Sequence, residues 1–434
     1  MKSIMKYRIS GLMAALALLS TSCIDMMEDV KDVENVQPVE VSFQVSATTQ
    51  FVPFDGTITP DPNFSTEGLE VTFTNSKTSQ IYKGTTDAEG IVTMSVDPGV
   101  YNIAAYGVAE FNDADYLING AIGSISLIKD ITREEAKESK DRIVTRPAKV
   151  GSLMISEIYY CGSKHPDDGT RFRDQTYRIY NNGDEVEYLD GVCFAQINTQ
   201  NPSVTVPTYP EEDGLGNFVY AILVWKIPGN GTDYPLQPGE SVVLVQEAAD
   251  HTQANRASFD NSKATWECWS GNDSRDNGLV PNIPYIYWLS PNKSQWNAGV
   301  QGPAFVLFRA PKEVTLDEEY YRNGGPNVVL QSNDKYKENF TARIPADWVL
   351  DAVEALANMD QLARKRIPTY IDAGATSTGA TYATTALCRK VVSTREDGTP
   401  IYQDTNNSTN DFEPQTELML RRHGEKAPAW SNWQ

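Results

Sequence analysis

Residues 86–103 read TDAEGIVTMSVDPGVYNI, and this stretch carries the clearest structural signal in the 434-residue chain. Apolar residues of β-forming type precede Pro98 and Gly99, and a second run of the same kind follows them. Proline presets the φ angle of a turn, and glycine supplies a position with positive φ. The stretch therefore predicts a strand, a tight turn and another strand.

The same pattern extends in both directions. Val39, Val41, Phe43 and Val45 alternate with polar residues, as expected for a half-buried strand. The chain holds 29 Gly, 24 Pro and 10% aromatic residues, which favours many short strands joined by turns. With 40% hydrophobic residues the chain can bury a sizeable core, so we predict a mostly β protein with few short helices.

Residues 38–149 resemble a carboxypeptidase-regulatory, transthyretin-like β-sandwich. In that family an Asp, a Gly that opens a strand, a Pro-Gly pair and an aromatic residue recur in this order, matched here by Asp87, Gly90, Pro98-Gly99 and Tyr101. The resemblance implies an accessory module without catalysis. Charged residues crowd between positions 130 and 149, where we predict a short exposed helix or solvated hairpin before the next domain.

Residues 150–434 are similar to a larger, immunoglobulin-like sandwich of the lamin-tail type. The similarity rests on LMISEIYY at 153–160, YRIYNNG at 177–183, LDG at 189–191 and LQPGE at 236–240. Residues 198–220 and 249–303 are predicted to be long insertions. Closing strands are expected at 304–308 and 348–353.

The N-terminus predicts a lipid anchor. Lys2, Lys6 and Arg8 precede an apolar run at 9–19 that is too short to span a bilayer, and small residues lead to Cys23. Residues 1–22 resemble a bacterial lipoprotein signal peptide, which makes Cys23 the lipidated residue, and an ordinary secretory signal is the alternative. Residues 23–37 form an acidic tether similar to the surface-export signal of Bacteroidota lipoproteins.

Charge and composition exclude several function classes. The formal charge of −21 would repel a nucleic-acid backbone, so no nucleic-acid partner is expected. The three histidines lie in polar sequence and match no catalytic motif, and no phosphate-binding or zinc-protease motif occurs. We expect no enzyme activity and no cofactor. Four further cysteines could be free buried thiols or could form disulfides: Cys161, Cys193, Cys268 and Cys388.

One acidic segment has a weak likeness to a calcium loop. Asp404, Asn406 and Ser408 stand at alternate positions, and oxygen ligands of this type suit Ca²⁺. Thr409 replaces the glycine and Gln415 the bidentate glutamate of an EF-hand. A turn rich in Asp and Asn is the simpler interpretation, so no metal is expected.

Residues 266–296 hold four of the eight tryptophans. Rings exposed on an insertion could stack on sugar rings, nucleobases or a porphyrin-like ligand, or anchor a protein partner, whereas buried rings would form a satellite core. The candidate binding residues are Trp266, Trp269, Tyr285, Tyr287, Trp288 and Trp296.

Nearly the full chain resembles an uncharacterised lipoprotein family of Bacteroidota. The resemblance rests on the signal, both sandwich domains, Arg343-Ile344-Pro345 and the loop at 404–408. It implies a lipid-anchored outer-membrane protein, exposed at the cell surface, that assists a TonB-dependent β-barrel transporter by capturing a nutrient ligand or stabilising the complex. The alternatives are a glycan-binding or glycan-active protein that uses the tryptophan-rich segment, and a structural envelope protein.

Overall fold

The computed structural model describes residues 37–202, 204–271, 276–289, 296, 298–331 and 340–431. Strands account for 41% of these residues and helices for 7%, which confirms the prediction of a mostly β protein with few short helices. Within these ranges no helix is both long and apolar enough to pass through a membrane.

The first part of the chain forms a seven-stranded sheet and one short helix. Its elements are β1 (Val39–Ala47), β2 (Glu70–Asn75), β3 (Ile81–Thr85), β4 (Ile91–Val96), β5 (Gly99–Phe111), β6 (Ala114–Leu127), α1 (Arg133–Glu138) and β7 (Ile143–Lys149). The strand order is β3-β2-β5-β6-β7-β1-β4. The apolar side of β1 packs with Phe73 and Ile103 in one buried core, as its alternation predicts.

The charged segment before Lys149 contains both a helix and a core strand. Thr132 and Glu135 form a capping box at the start of α1, which explains why the helix begins there. The strand β7 then pairs parallel with β1 and antiparallel with β6. The predicted exposed helix is present, but β7 belongs to the sheet and is not part of a solvated hairpin.

Two strands follow one another around Pro98-Gly99, as predicted, because β4 ends at Val96 and β5 begins at Gly99. The two strands do not pair with each other, since β4 pairs with β1 and β5 with β2 and β6. Gly99 does not have the positive φ expected of it. A Cβ atom at Gly99 would lie 2.5 Å from Nδ2 of Asn75, so close packing explains the glycine.

The remaining chain contributes two facing sheets. Its strands are β8 (Leu153–Tyr159), β9 (Ser163–His165), β10 (Gly169–Arg171), β11 (Thr176–Asn181), β12 (Glu187–Tyr188), β13 (Cys193–Ile197), β14 (Phe218–Lys226), β15 (Pro235–Leu236), β16 (Ser241–Val245), β17 (Trp266–Cys268), β18 (Asn282–Ile283), β19 (Tyr285–Trp288), β20 (Ala304–Phe308), β21 (Val328–Leu330), β22 (Phe340–Pro345), β23 (Val349–Glu354), β24 (Ala386–Arg389), β25 (Val391–Thr394), β26 (Pro400–Tyr402) and β27 (Phe412–Gln415). The helix α2 spans Ser408–Asp411, and short 3₁₀ helices occupy Glu211–Asp213, His251–Gln253, Ala346–Trp348, Met359–Arg364 and Ala429–Ser431.

One sheet has the order β18-β17-β16-β11-β8-β24-β27, and the other has the order β21-β22-β14-β13-β20-β23 with β19 added beside β14. Side chains from both sheets share the largest core, where Tyr177 of β11 contacts Phe194 of β13 and Phe305 of β20. The ring centroids of Tyr177 and Phe305 are 4.7 Å apart. These contacts establish a sandwich.

The predicted insertion at 249–303 is partly built into the sheets. The strand β17 extends one sheet by parallel pairing with β16, and β19 pairs with β14 of the other. Of the predicted closing strands, β20 has the expected bounds, and β23 follows a 3₁₀ turn at Ala346–Trp348.

Candidate functional site

The predicted lipid anchor lies outside the described residues, because Cys23, the signal and the tether before residue 37 all precede them. Lipidation therefore stays a prediction. The four other cysteines are buried and free, so the alternative of unpaired thiols holds. Cys161, for example, places Sγ 3.3 Å from the carbonyl oxygen of Thr385.

The tryptophan-rich segment divides between core and surface. Trp266 and Trp296 lie in the core between the two sheets of the sandwich. Tyr287 lies in a second core, which packs on the outer face of the sheet that contains β14. Trp266 is 1% exposed and Trp296 is 4% exposed. These three rings cannot offer their faces to a ligand, which corrects their prediction as binding residues.

The other three rings form a half-buried group that we call the aromatic patch: Trp269, Tyr285 and Trp288. Trp269 and Tyr285 are stacked with centroids 6.4 Å apart, and Trp288 meets Tyr285 edge-on at 5.5 Å. The indole N–H of Trp225 donates to the carbonyl oxygen of Trp269 at 3.3 Å and fixes that residue to the core. The aromatic patch is thus held in place while its rings keep partial exposure.

The calcium-like segment does not form a cation site. Ser408 donates its hydroxyl to Asp372 at 2.6 Å, and the backbone oxygen of Asn406 accepts from Ala373 at 2.7 Å. Asp404 instead faces the guanidinium of Arg389. Among the described residues, no group of three or more His, Cys, Asp or Glu side chains is placed to hold a metal ion.

Arg389 supplies the positive charge that the acidic segment surrounds. Its guanidinium lies 2.7 Å from Asp351, 3.2 Å from Asp404 and 3.2 Å from Asp411. Burial alone would lower the pKa of Arg389, but the three carboxylates raise it overall. Burial raises the pKa of Asp351 and of Asp411 even beside the guanidinium. We call this group the Arg389 cluster.

A cavity of about 480 Å³ opens next to the Arg389 cluster, and we call it the seam cleft. One wall comes from the first sheet through Tyr116, Arg146 and Lys149, and the other comes from the 3₁₀ turn at Ala346–Trp348 and from β23. Its volume falls within the range typical of small-molecule sites. Asp351 and Asp404 also line it, so the cleft and the Arg389 cluster are contiguous.

Polar contacts between the first sheet and the sandwich keep the walls of the seam cleft in place. The side-chain N–H of Asn217 donates to the carbonyl oxygen of Val52 at 2.8 Å, and the side-chain oxygen of Asn217 accepts from the backbone N–H of Val52 at 2.9 Å. Arg146 contacts Asn217 and stacks on the ring of Tyr370 at 5.1 Å. The sequence gives no sign of this cavity beyond the charged run that ends at Lys149, because its two walls are about 200 residues apart.

The fold and the seam cleft define a mostly β protein in which a seven-stranded sheet and a two-sheet sandwich enclose a small-molecule-sized cavity. The chain belongs to the DUF4876 family, described as a protein of unknown function, whose family model matches residues 237–419. The prediction of an uncharacterised Bacteroidota family is confirmed.

The crystal structure of a DUF4876 family protein from Bacteroides thetaiotaomicron VPI-5482 is similar, with 33% identity and a TM-score of 0.61 over 91% of this chain and 100% of that one. Two DUF3823 family proteins have much weaker likeness. The one from Bacteroides ovatus ATCC 8483 shares 12% identity over 48% of this chain and 98% of that one, with a TM-score of 0.14. The one from Parabacteroides merdae ATCC 43184 shares 14% identity over 46% and 96%, also with a TM-score of 0.14. No curated protein matches the chain.

Proposed function

We propose that this protein is a non-enzymatic lipoprotein of the outer membrane that captures a small ligand at the cell surface and assists a TonB-dependent transporter. The observation that carries the proposal is the seam cleft, a cavity of about 480 Å³ with charged and apolar residues on fixed walls. The signal before Cys23 supports the location, because two or more acyl chains hold a protein stably on a bilayer.

Replacing Cys23 with alanine tests the anchor and the partnership together. The full-length protein in native cells is expected to take up a clickable palmitate analogue and, after cross-linking, to co-purify with a β-barrel transporter. Cys23→Ala is expected to abolish both signals because it removes the thiol that carries the lipid. Ser20→Ala, which keeps a small residue before the cysteine, is the control and should retain both. Label that persists in Cys23→Ala, or the absence of a barrel from the wild-type capture, would refute the proposal.

Glycan binding is a second candidate, favoured by the aromatic patch. Three half-buried rings in mutual contact offer apolar faces on which sugar rings can stack. If the aromatic patch binds glycans, Trp269→Ala should weaken binding to a glycan array by about tenfold or more, the effect of losing a central aromatic contact. Phe54→Ala removes an exposed ring elsewhere, 52% accessible, and should leave binding unchanged. Equal loss in both variants would count against the aromatic patch as the site.

A further inference from the structure

Two of the charged side chains around the seam cleft have no polar side-chain contact, and Nε of Arg146 and of Arg309 also lacks a hydrogen-bond partner within the described structure. Seven charged side chains line the cavity: Arg146, Lys149, Glu187, Arg309, Asp347, Asp351 and Asp404. Asp351 and Asp404 face Arg389, Glu187 lies 3.7 Å from Arg309, and Arg146 contacts Asn217. Lys149 and Asp347 make no side-chain hydrogen bond or ion pair with any residue in the described part of the chain.

These two groups have opposite charges and come from opposite walls. Lys149 ends β7 of the first sheet, where it is paired in register with Tyr116. Asp347 lies in the 3₁₀ turn between β22 and β23 of the sandwich. Lys149 and Asp347 form no ion pair with each other within the described structure. A ligand that reaches both must therefore carry a charge at each end.

We infer that the seam cleft binds a small zwitterion, namely a free amino acid or a short peptide, with its carboxylate at Lys149 and its ammonium at Asp347. The inference rests on the proposed capture function and names the ligand class. A simple anion would meet the field of a body with a net charge of −21, and a simple cation would leave Lys149 without a partner. Lys149 and Asp347 are exposed, and a neutral sugar would leave both without a partner of opposite charge.

The apolar part of the lining suits the side chains of such a ligand. Leu117 of β6, Leu350 of β23 and Ile371 also line the cavity. Charged groups fix the orientation of a ligand in a pocket, whereas apolar contacts accept different side chains. We therefore expect the charged ends to determine binding and the side chain to adjust it.

Calorimetric titration of the full-length lipoprotein in detergent with the dipeptide Ala-Ala tests the inference. The wild type is expected to bind Ala-Ala, and to bind N-acetyl-Ala-Ala and Ala-Ala-amide about tenfold or more weakly, because each derivative lacks one charge. Lys149→Gln and Asp347→Asn should each cause a similar loss. The double variant Lys149→Asp/Asp347→Lys should recover binding, since a dipeptide can enter in the opposite direction.

Lys312→Gln, at an exposed lysine outside the cleft, is the matched control and should bind as the wild type does. Melting curves of every variant confirm that the fold is kept. Equal affinity for Ala-Ala and its blocked derivatives, or no binding of Ala-Ala to the wild type, would overturn the inference. If the same preparation still captures a β-barrel transporter, the proposed accessory function remains supported. If it neither binds Ala-Ala nor captures a β-barrel, the proposed accessory function is refuted as well.

Discussion

Arg389→Met is expected to lower the free energy of unfolding by about 3–5 kcal/mol, or to prevent folding, because it removes one partner of a buried charge cluster. Methionine fills a similar volume but leaves Asp351, Asp404 and Asp411 without their cation. It also removes the hydrogen bond from Nε to the carbonyl oxygen of Ile155 at 3.0 Å. Arg389 is 1% exposed, so water cannot replace these contacts.

The destabilisation should depend on pH in a defined direction. Burial raises the pKa of Asp351 and Asp411 in the folded state, and loss of the guanidinium raises it further. A carboxyl whose folded-state pKa is raised supports stability below its ordinary value of 3.8 and loses that support as the pH rises toward the folded-state pKa. The gap in stability between the wild type and Arg389→Met should therefore widen as the pH rises from about 4 to about 7.

Urea denaturation at several pH values measures this gap. Arg389→Met/Asp351→Asn should narrow it at neutral pH, since one uncompensated carboxylate is gone. Arg256→Met is a matched control that breaks an exposed contact with Asp168, and it should change stability little. A gap that is constant across the pH range would show that the carboxylates of the Arg389 cluster do not carry the effect.

The Arg389 cluster also shows where local sequence reasoning ends. The acidic residues from 404 to 411 indicated a cation, and a cation is present, but it is a guanidinium on β24. Asp351 joins it from β23, another strand that is distant in the chain. Spacing within one loop cannot reveal a partner that only sheet pairing brings near. The seam cleft cannot be predicted for the same reason, because its lining residues Lys149 and Asp347 are far apart in the chain.

The alternation of apolar and polar residues, by contrast, predicted a local strand well. The buried apolar face of β1 follows from residue pattern alone, because side chains alternate between the two faces of a strand. The strand at 304–308 is instead a continuous apolar run that is buried on both faces. The fate of the tryptophans depends on longer-range pairing. Trp266 becomes buried because β17 pairs with β16 and directs it into the sandwich, whereas Trp269 follows the end of that strand.

Trp266→Ala should therefore be far more damaging than Trp269→Ala, although only two residues separate them. Trp266 contacts Tyr234 and Trp430, each with ring centroids 5.2 Å away, in the core between the two sheets. Deleting a buried tryptophan leaves a cavity and typically costs about 3–5 kcal/mol. Trp269 is half-buried at the edge of the aromatic patch, so its loss should cost about 1 kcal/mol.

Thermal and urea unfolding of Trp266→Ala and Trp269→Ala compare the same substitution in the core and at the surface. Trp430→Ala should resemble Trp266→Ala in direction with a smaller effect, because Trp430 covers the same ring and donates its indole N–H to the carbonyl oxygen of Pro235 at 2.6 Å. Equal stability losses at positions 266 and 269 would contradict the burial difference. A larger loss of stability in Trp269→Ala would show that Trp269 is needed to stabilise the fold. The aromatic patch would then no longer be a candidate binding surface.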